Sequence, residues 1–160
     1  MSQNTQITLL VLDVDGVMSD GKVTYTSDGA ELKSFNIKDG VGIKGIQKAG
    51  IQTAIITGRA SPMVERRAAE LGIHHLIQGR EDKLSALKEL LDSLTIELKN
   101  VAYMGDDLPD IEAIASVGIG ACPADAAVAV KAQAGWISSL NGGEGCVREF
   151  CDHILDVANK

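Results

Sequence analysis

Ile7 to Val14 reads Ile-Thr-Leu-Leu-Val-Leu-Asp-Val, apolar at almost every position. A strand with one wet face alternates polar and apolar residues. A near-continuous apolar run belongs to a strand covered on both faces. Gln52 to Ile56, Ile73 to Ile77, Val101 to Met104 and Val117 to Ala121 are further candidate strands. Between them lie Val41 to Ala49, Pro62 to Leu71, Asp82 to Leu94 and Leu108 to Ala115, with apolar residues three or four apart. Ser61-Pro62 offers an N-cap hydroxyl and a proline at the first helical position. Gly50 and Gly72 stand where helices should end. This alternation predicts an α/β fold, a Rossmann-like parallel sheet with helices on both faces. The 160 residues fit one domain, 1–160.

Lys22 to Phe35 departs from the pattern. Lys-Val-Thr-Tyr-Thr and Glu-Leu-Lys-Ser-Phe flank Ser27-Asp28-Gly29, which predicts a β-hairpin inserted after the first strand. Gly142-Gly143-Glu144-Gly145 is the stretch expected to be most flexible, ahead of a last short helix.

Charge and cysteine content narrow the function. Fifteen basic residues against 22 acidic leave a formal charge of −7. Such a surface repels nucleic acid and anionic membrane, so neither is an expected partner. No run approaches the ~18 apolar residues of a membrane helix. Met1 to Gln6 carries no basic residue, so a secretory leader is not expected either. Cys122, Cys146 and Cys151 form no Cys-x-x-Cys pair and read as reduced thiols, which points to the cytoplasm.

Chemistry gathers where the strands end. The first runs into Asp13-Val14-Asp15-Gly16, the second into Thr57-Gly58-Arg59. Gln78-Gly79 leads to Lys83 at a helix start, and Met104 leads to Gly105-Asp106-Asp107 with Asp110 a turn later. Each has a plain structural role when taken alone: a cap, a solvated face, an acidic turn. Ligands of open α/β sheets bind at the carboxyl ends of strands, and all four groups fall there. Carboxylates from two strand ends are hard oxygen ligands suited to Mg²⁺. A hydroxyl and a lysine can hold phosphoryl oxygens. One carboxylate can attack phosphorus, and another can move the proton of the leaving group.

Asp13-x-Asp15-Gly16, Thr57-Gly58, Lys83 and Gly105-Asp106-Asp107 with Asp110 resemble the four motifs of the haloacid dehalogenase-like phosphatases. DVDGVMSDG, FNIKDGVGI, TGRASPMVERRAAELGI, QGREDK, GDDLPD and GGEGCVRE further resemble the 3-deoxy-D-manno-octulosonate 8-phosphate phosphatases, from about Ile7 to Phe150. The resemblance implies Asp13 as nucleophile and Asp15 as general acid/base. It implies Thr57, the backbone of Gly58 and Lys83 as phosphate-binding groups. Mg²⁺ is then held by Asp13, the main-chain carbonyl of Asp15, and Asp106, with Asp107 and Asp110 orienting the metal's surroundings. Cys146 departs from relatives that often carry alanine there, and no catalytic role depends on it. The branch it resembles lacks a cap domain and forms homotetramers, in which a neighbour helps wall off each site; here the hairpin is the only insertion.

The substrate implied is a small-molecule sugar acid phosphate. Arg59, Arg66, Arg67 and Arg80 lie near the strand-end edge, with Arg66 expected in a surface ion pair. Arg59 and Arg67 are the expected substrate-binding arginines, since a guanidinium grips a carboxylate bidentately. Relatives acting on nine-carbon sialic-type phosphates tend to have an acidic residue in place of Arg59 and a lysine further along. Arg59 and Glu70 carry the opposite signs, which favours the eight-carbon substrate over the nine-carbon alternative. The rival from another class is a phospho-aspartate receiver-like signalling domain, which keeps its acidic pair on the first strand and its phosphorylated aspartate on a middle one. A catalytically dead regulatory domain is a third reading, disfavoured by intact motifs.

Overall fold

The computed structural model describes residues 6–160. Residues 1–5, most of the Met1 to Gln6 stretch in which no secretory leader is expected, lie outside the described residues. The strands are β1 (Leu9–Leu12), β4 (Gln52–Ile56), β5 (His75–Ile77), β6 (Val101–Met104), β7 (Ile119–Cys122) and β8 (Trp136–Ile137), with β2 (Thr24–Tyr25) and β3 (Glu31–Leu32) forming the predicted hairpin. The six sheet strands lie in the order β5-β4-β1-β6-β7-β8, and every pairing is parallel. With the hairpin set aside this is the 3-2-1-4-5-6 order of the doubly wound fold. Its strand order reverses between β1 and β6, which opens a crevice at their carboxyl ends.

Among the described residues six helices cover the sheet: α1 (Ile37–Lys48), α2 (Pro62–Leu71), α3 (Lys83–Leu94), α4 (Ile111–Ser116), α5 (Val128–Gln133) and α6 (Cys146–Ala158). β1 shows why its sequence is apolar throughout. Leu10 and Leu12 pack with Ile43, Val64 and Phe150 on one face, Leu9 and Val11 with Leu87, Ile114 and Val130 on the other. All four β1 side chains are fully buried.

Several boundaries differ from expectation for local reasons. Helix α1 begins at Ile37 because Asn36 caps it, accepting a hydrogen bond from the Lys38 amide. Asp39, in its first turn, caps α6 by accepting from the Arg148 amide at 3.0 Å; a polar residue is thus buried for a distant helix, where apolar periodicity gives no signal. The stretch expected as helix from Leu108 splits into a tight turn, Leu108–Asp110, and α4. The short elements α5 and β8 escaped the sequence pattern. The last helix is 13 residues long rather than short, and Trp136 stacks between Phe150 and His153. The glycine-rich loop before it is tied down: Gly143 donates to the Val17 carbonyl, and Gly142 to Asp125.

Candidate active site

Asp13 follows β1 directly. Its amide continues the ladder by donating to Met104 O at 3.0 Å, and its carboxylate accepts from the Val14 amide at 2.7 Å. The chain then turns sharply through Gly16 at φ 87°. A Cβ at Gly16 would lie 1.9 Å from Asp106 Oδ2, so only glycine lets the carboxylate after β6 reach the loop after β1. Thr57, directly after β4, is buried, and its backbone bonds to Ile77 O and to the Arg80 amide. Gly58 follows it, with Glu81 alongside.

Lys83 opens α3 and is 4 % exposed. Its ammonium lies 3.0 Å from Asp13 Oδ1 and 2.9 Å from Asp110 Oδ1. Asp110 is fully buried, and both its oxygens are occupied. Oδ1 also accepts from the Tyr103 hydroxyl at 2.6 Å, while Oδ2 accepts from the Asp106 and Asp107 amides. Carboxylate oxygens of Asp13, Asp106 and Asp110 come within 4.8 Å of one another. Three carboxylates thus crowd together, and one ammonium pairs with two of them. Burial, and then the charges of Asp110 and Asp106, hold the Asp13 carboxyl well above the usual range even with Lys83 beside it. Burial likewise pushes Asp106 up to about 6, with the Asp110 and Asp107 charges adding to it. Burial pulls the Lys83 ammonium down, but the two carboxylates outweigh it and leave its pKa raised. The excess negative charge and the oxygen-only donors fit a hard divalent cation.

Asp15 is not part of that cluster. Its Oδ1 lies 2.5 Å from the ammonium of Lys33, just past β3, and Lys33 reaches back to Glu31 at 3.6 Å. Arg59 pairs with the same Glu31 at 3.1 Å. Sequence reasoning missed Lys33, Glu31 and Tyr103. The spacing of Glu31 and Lys33, two apart and so on one face of the hairpin, was the available signal.

The remaining predicted residues divide. Asp107 caps the Leu108–Asp110 turn, accepting from the Leu108 amide, in a reciprocal cap with Asp110. Arg67 lies over the Phe35 ring, beside Gly40 of α1, with Glu70 at 3.5 Å; its contacts are with these groups and none is with the carboxylate cluster. Arg66 makes the expected surface pair with Glu70, and Arg80 is taken up by Asp82 and Glu89. His74, just before β5, accepts from the Thr53 amide, and His75 bonds Gln52, so each is taken up by β4.

A family model for haloacid dehalogenase-like hydrolases matches residues 75–150. The 3-deoxy-D-manno-octulosonate 8-phosphate phosphatase of Escherichia coli K12 is 48% identical over 149 residues, 93% of this chain and 79% of that protein. The chain belongs to this phosphatase family. A probable phosphatase of Pseudomonas syringae superposes with a TM-score of 0.95 at 50% identity, over 97% of this chain and 88% of the other. The phosphatase of Moraxella catarrhalis, solved with magnesium, phosphate and the sugar acid KDO, does so with 0.95 at 47%, covering 98% and 90%. The haloacid dehalogenase-like fold carries no cap domain among the described residues. The receiver-like reading fails on topology too: receivers order their strands 2-1-3-4-5, whereas β1 here separates the second and fourth core strands.

Proposed function

We propose that the protein is a Mg²⁺-dependent phosphoric monoester hydrolase. It converts 3-deoxy-D-manno-octulosonate 8-phosphate to the free sugar acid and phosphate, a step toward the lipopolysaccharide inner core. The observation that carries the reading is the buried Asp13–Lys83–Asp110 cluster, completed by Asp106 at the crevice between β1 and β6.

Asp13 attacks phosphorus through a carboxylate oxygen, the bond to the sugar oxygen breaks, and an aspartyl-phosphate forms. Asp15 protonates the departing oxygen. It then takes a proton from water, whose oxygen attacks phosphorus and releases phosphate from Asp13. Lys83, the Thr57 hydroxyl and the Gly58 amide hold the phosphoryl oxygens. Asp13, Asp106 and the Asp15 carbonyl would hold Mg²⁺, which supplies positive charge against the phosphate. Asp110, engaged on both oxygens, orients Asp106 and Lys83, and Asp107 caps the turn that carries Asp110, so neither is assigned as a metal ligand.

Among described residues no helix is long and apolar enough to cross a membrane. Residues 1–160 are proposed to form one domain acting in the cytoplasm as a homotetramer. Val23, Tyr25 and Leu32 support the assembly, since they expose apolar surface on the hairpin beside the site. Arg59 favours the eight-carbon sugar acid through its charge, with Arg67 as a second substrate arginine. A phosphate-release screen over eight- and nine-carbon sugar acid phosphates, with and without Mg²⁺, tests the proposal; preference for a nine-carbon substrate would overturn its substrate part.

A further inference from the structure

The hairpin inverts the usual placement of side chains. Tyr25 and Leu32 are 66% and 52% exposed, while the side chain of Lys33 is 1% exposed. A lysine ammonium is withdrawn from water at high cost unless carboxylates face it. Asp15 and Glu31 do so, at 2.5 and 3.6 Å. Two-residue strands are too short to hold a hairpin in place by themselves. The run Asp15–Lys33–Glu31–Arg59 therefore joins the loop after β1, the hairpin and the loop after β4. Among the described residues Lys33 is the partner of the Asp15 carboxylate, and it engages Oδ1.

We propose that Lys33 is a positioning residue that fixes the Asp15 carboxyl by one oxygen, so that the other faces the leaving group. This rests on the reading of Asp15 as the proton donor. Lys33 itself touches neither Asp13 nor Lys83 among the contacts observed, so its effect should fall on leaving-group protonation and not on attack at phosphorus.

Leaving-group chemistry separates these steps. A sugar alkoxide cannot depart without a proton, whereas p-nitrophenolate can. The rate of phosphoryl-enzyme formation is to be measured in a single turnover with the sugar acid phosphate and with p-nitrophenyl phosphate, for the intact protein and for Lys33→Met, Lys33→Arg and Asp15→Asn. General-acid contributions run to about a hundredfold or more, so Lys33→Met should lose at least about tenfold more on the sugar phosphate than on the aryl phosphate. Lys33→Arg, which can still donate to Oδ1, should recover most of that difference. Equal losses on both substrates in Lys33→Met, or no loss, would overturn the positioning role. If Lys33→Met does not fold, Lys33→Gln takes its place under the same criteria: a selective loss on the sugar phosphate supports the role, and equal losses or none overturn it. Asp15→Asn separates the two hypotheses. If it discriminates between substrates while Lys33→Met does not, only Lys33 is misassigned; if it does not discriminate, the reading of Asp15 itself fails.

Discussion

Tyr103 donates its hydroxyl to Asp110 Oδ1 at 2.6 Å, from the interior of β6 to a fully buried carboxylate. That bond and the Lys83 ammonium share one oxygen, while the Asp106 and Asp107 amides take the other. Asp110 thus sets the backbone that carries Asp106 and the lysine that faces Asp13. Gly105 makes room for it, since a Cβ there would lie 2.2 Å from the Asp110 carboxyl carbon. Tyr103→Phe should lower stability by about 1–3 kcal/mol, the range for a buried group left short of a partner. Urea unfolding measures it, and an unchanged midpoint would mean that water or Lys83 compensates fully.

Asp13→Asn should abolish turnover and leave the fold intact, because an amide cannot attack phosphorus. It should also raise the melting temperature of the metal-free protein at pH 7.5. Asp13 is held above its ordinary pKa by burial and by Asp110, so its ionised form is unfavourable in the folded state. Lys83 keeps Asp110 as a partner in the variant. Near-normal hydrolysis by Asp13→Asn would mean that water attacks phosphorus directly.

Removing Mg²⁺ with EDTA should silence the enzyme, and restoring it should raise the melting temperature more at pH 7.5 than at pH 5. The sign follows from the raised carboxyls. Between the ordinary aspartate value of 3.8 and about 6, Asp106 keeps a proton in the folded state that the unfolded chain has lost. Stability from that proton is present at low pH and disappears as pH rises through about 6. Asp13 shifts in the same direction. A cation replaces those protons, so its stabilising effect grows as they leave. An equal shift at both pH values would place the metal elsewhere, and recovery by zinc with magnesium inert would contradict the oxygen ligand set.

Arg59→Glu should cut turnover of the eight-carbon sugar acid phosphate at least about tenfold more than that of p-nitrophenyl phosphate, as expected when a charge complementary to one ligand is reversed. In the proposed mechanism Thr57, Lys83 and the metal serve the phosphate common to both. The new carboxylate would also oppose Glu31, which Arg59 now holds at 3.1 Å, and so loosen the hairpin. Equal specificity losses for both substrates would assign Arg59 to the shared phosphate chemistry.

The sheet and the placement of the chemistry were legible because both are local in the chain. Val101–Met104, Gln52–Ile56 and Pro62–Leu71 occur where apolar runs, helical spacing and the Ser61-Pro62 cap put them. Asp13, Thr57, Lys83 and Asp106 lie one or two residues past a strand or at a helix start, so knowing the elements was enough to gather them at one edge. Short elements such as α5 and β8 were hidden because six and two residues carry too little periodicity to stand out.

What the chain order could not reveal is which partner each charge meets. Lys33 stands in a Glu-Leu-Lys run whose apolar Leu32 turns to solvent while the lysine turns inward, the reverse of what hydrophobicity predicts. The resemblance implies that Asp110 orients the metal's surroundings, but only the folded chain brings Tyr103 and Lys83 to it and makes it the buried centre of the site. Arg67 meets Phe35 and Glu70, partners that its place in the chain does not disclose. Local pattern sets strands, helices and the ends where ligands bind. A charge is buried only where opposite charges converge on it, and residues 18 or 27 positions apart, such as Asp15 with Lys33 or Lys83 with Asp110, converge only through the folded sheet.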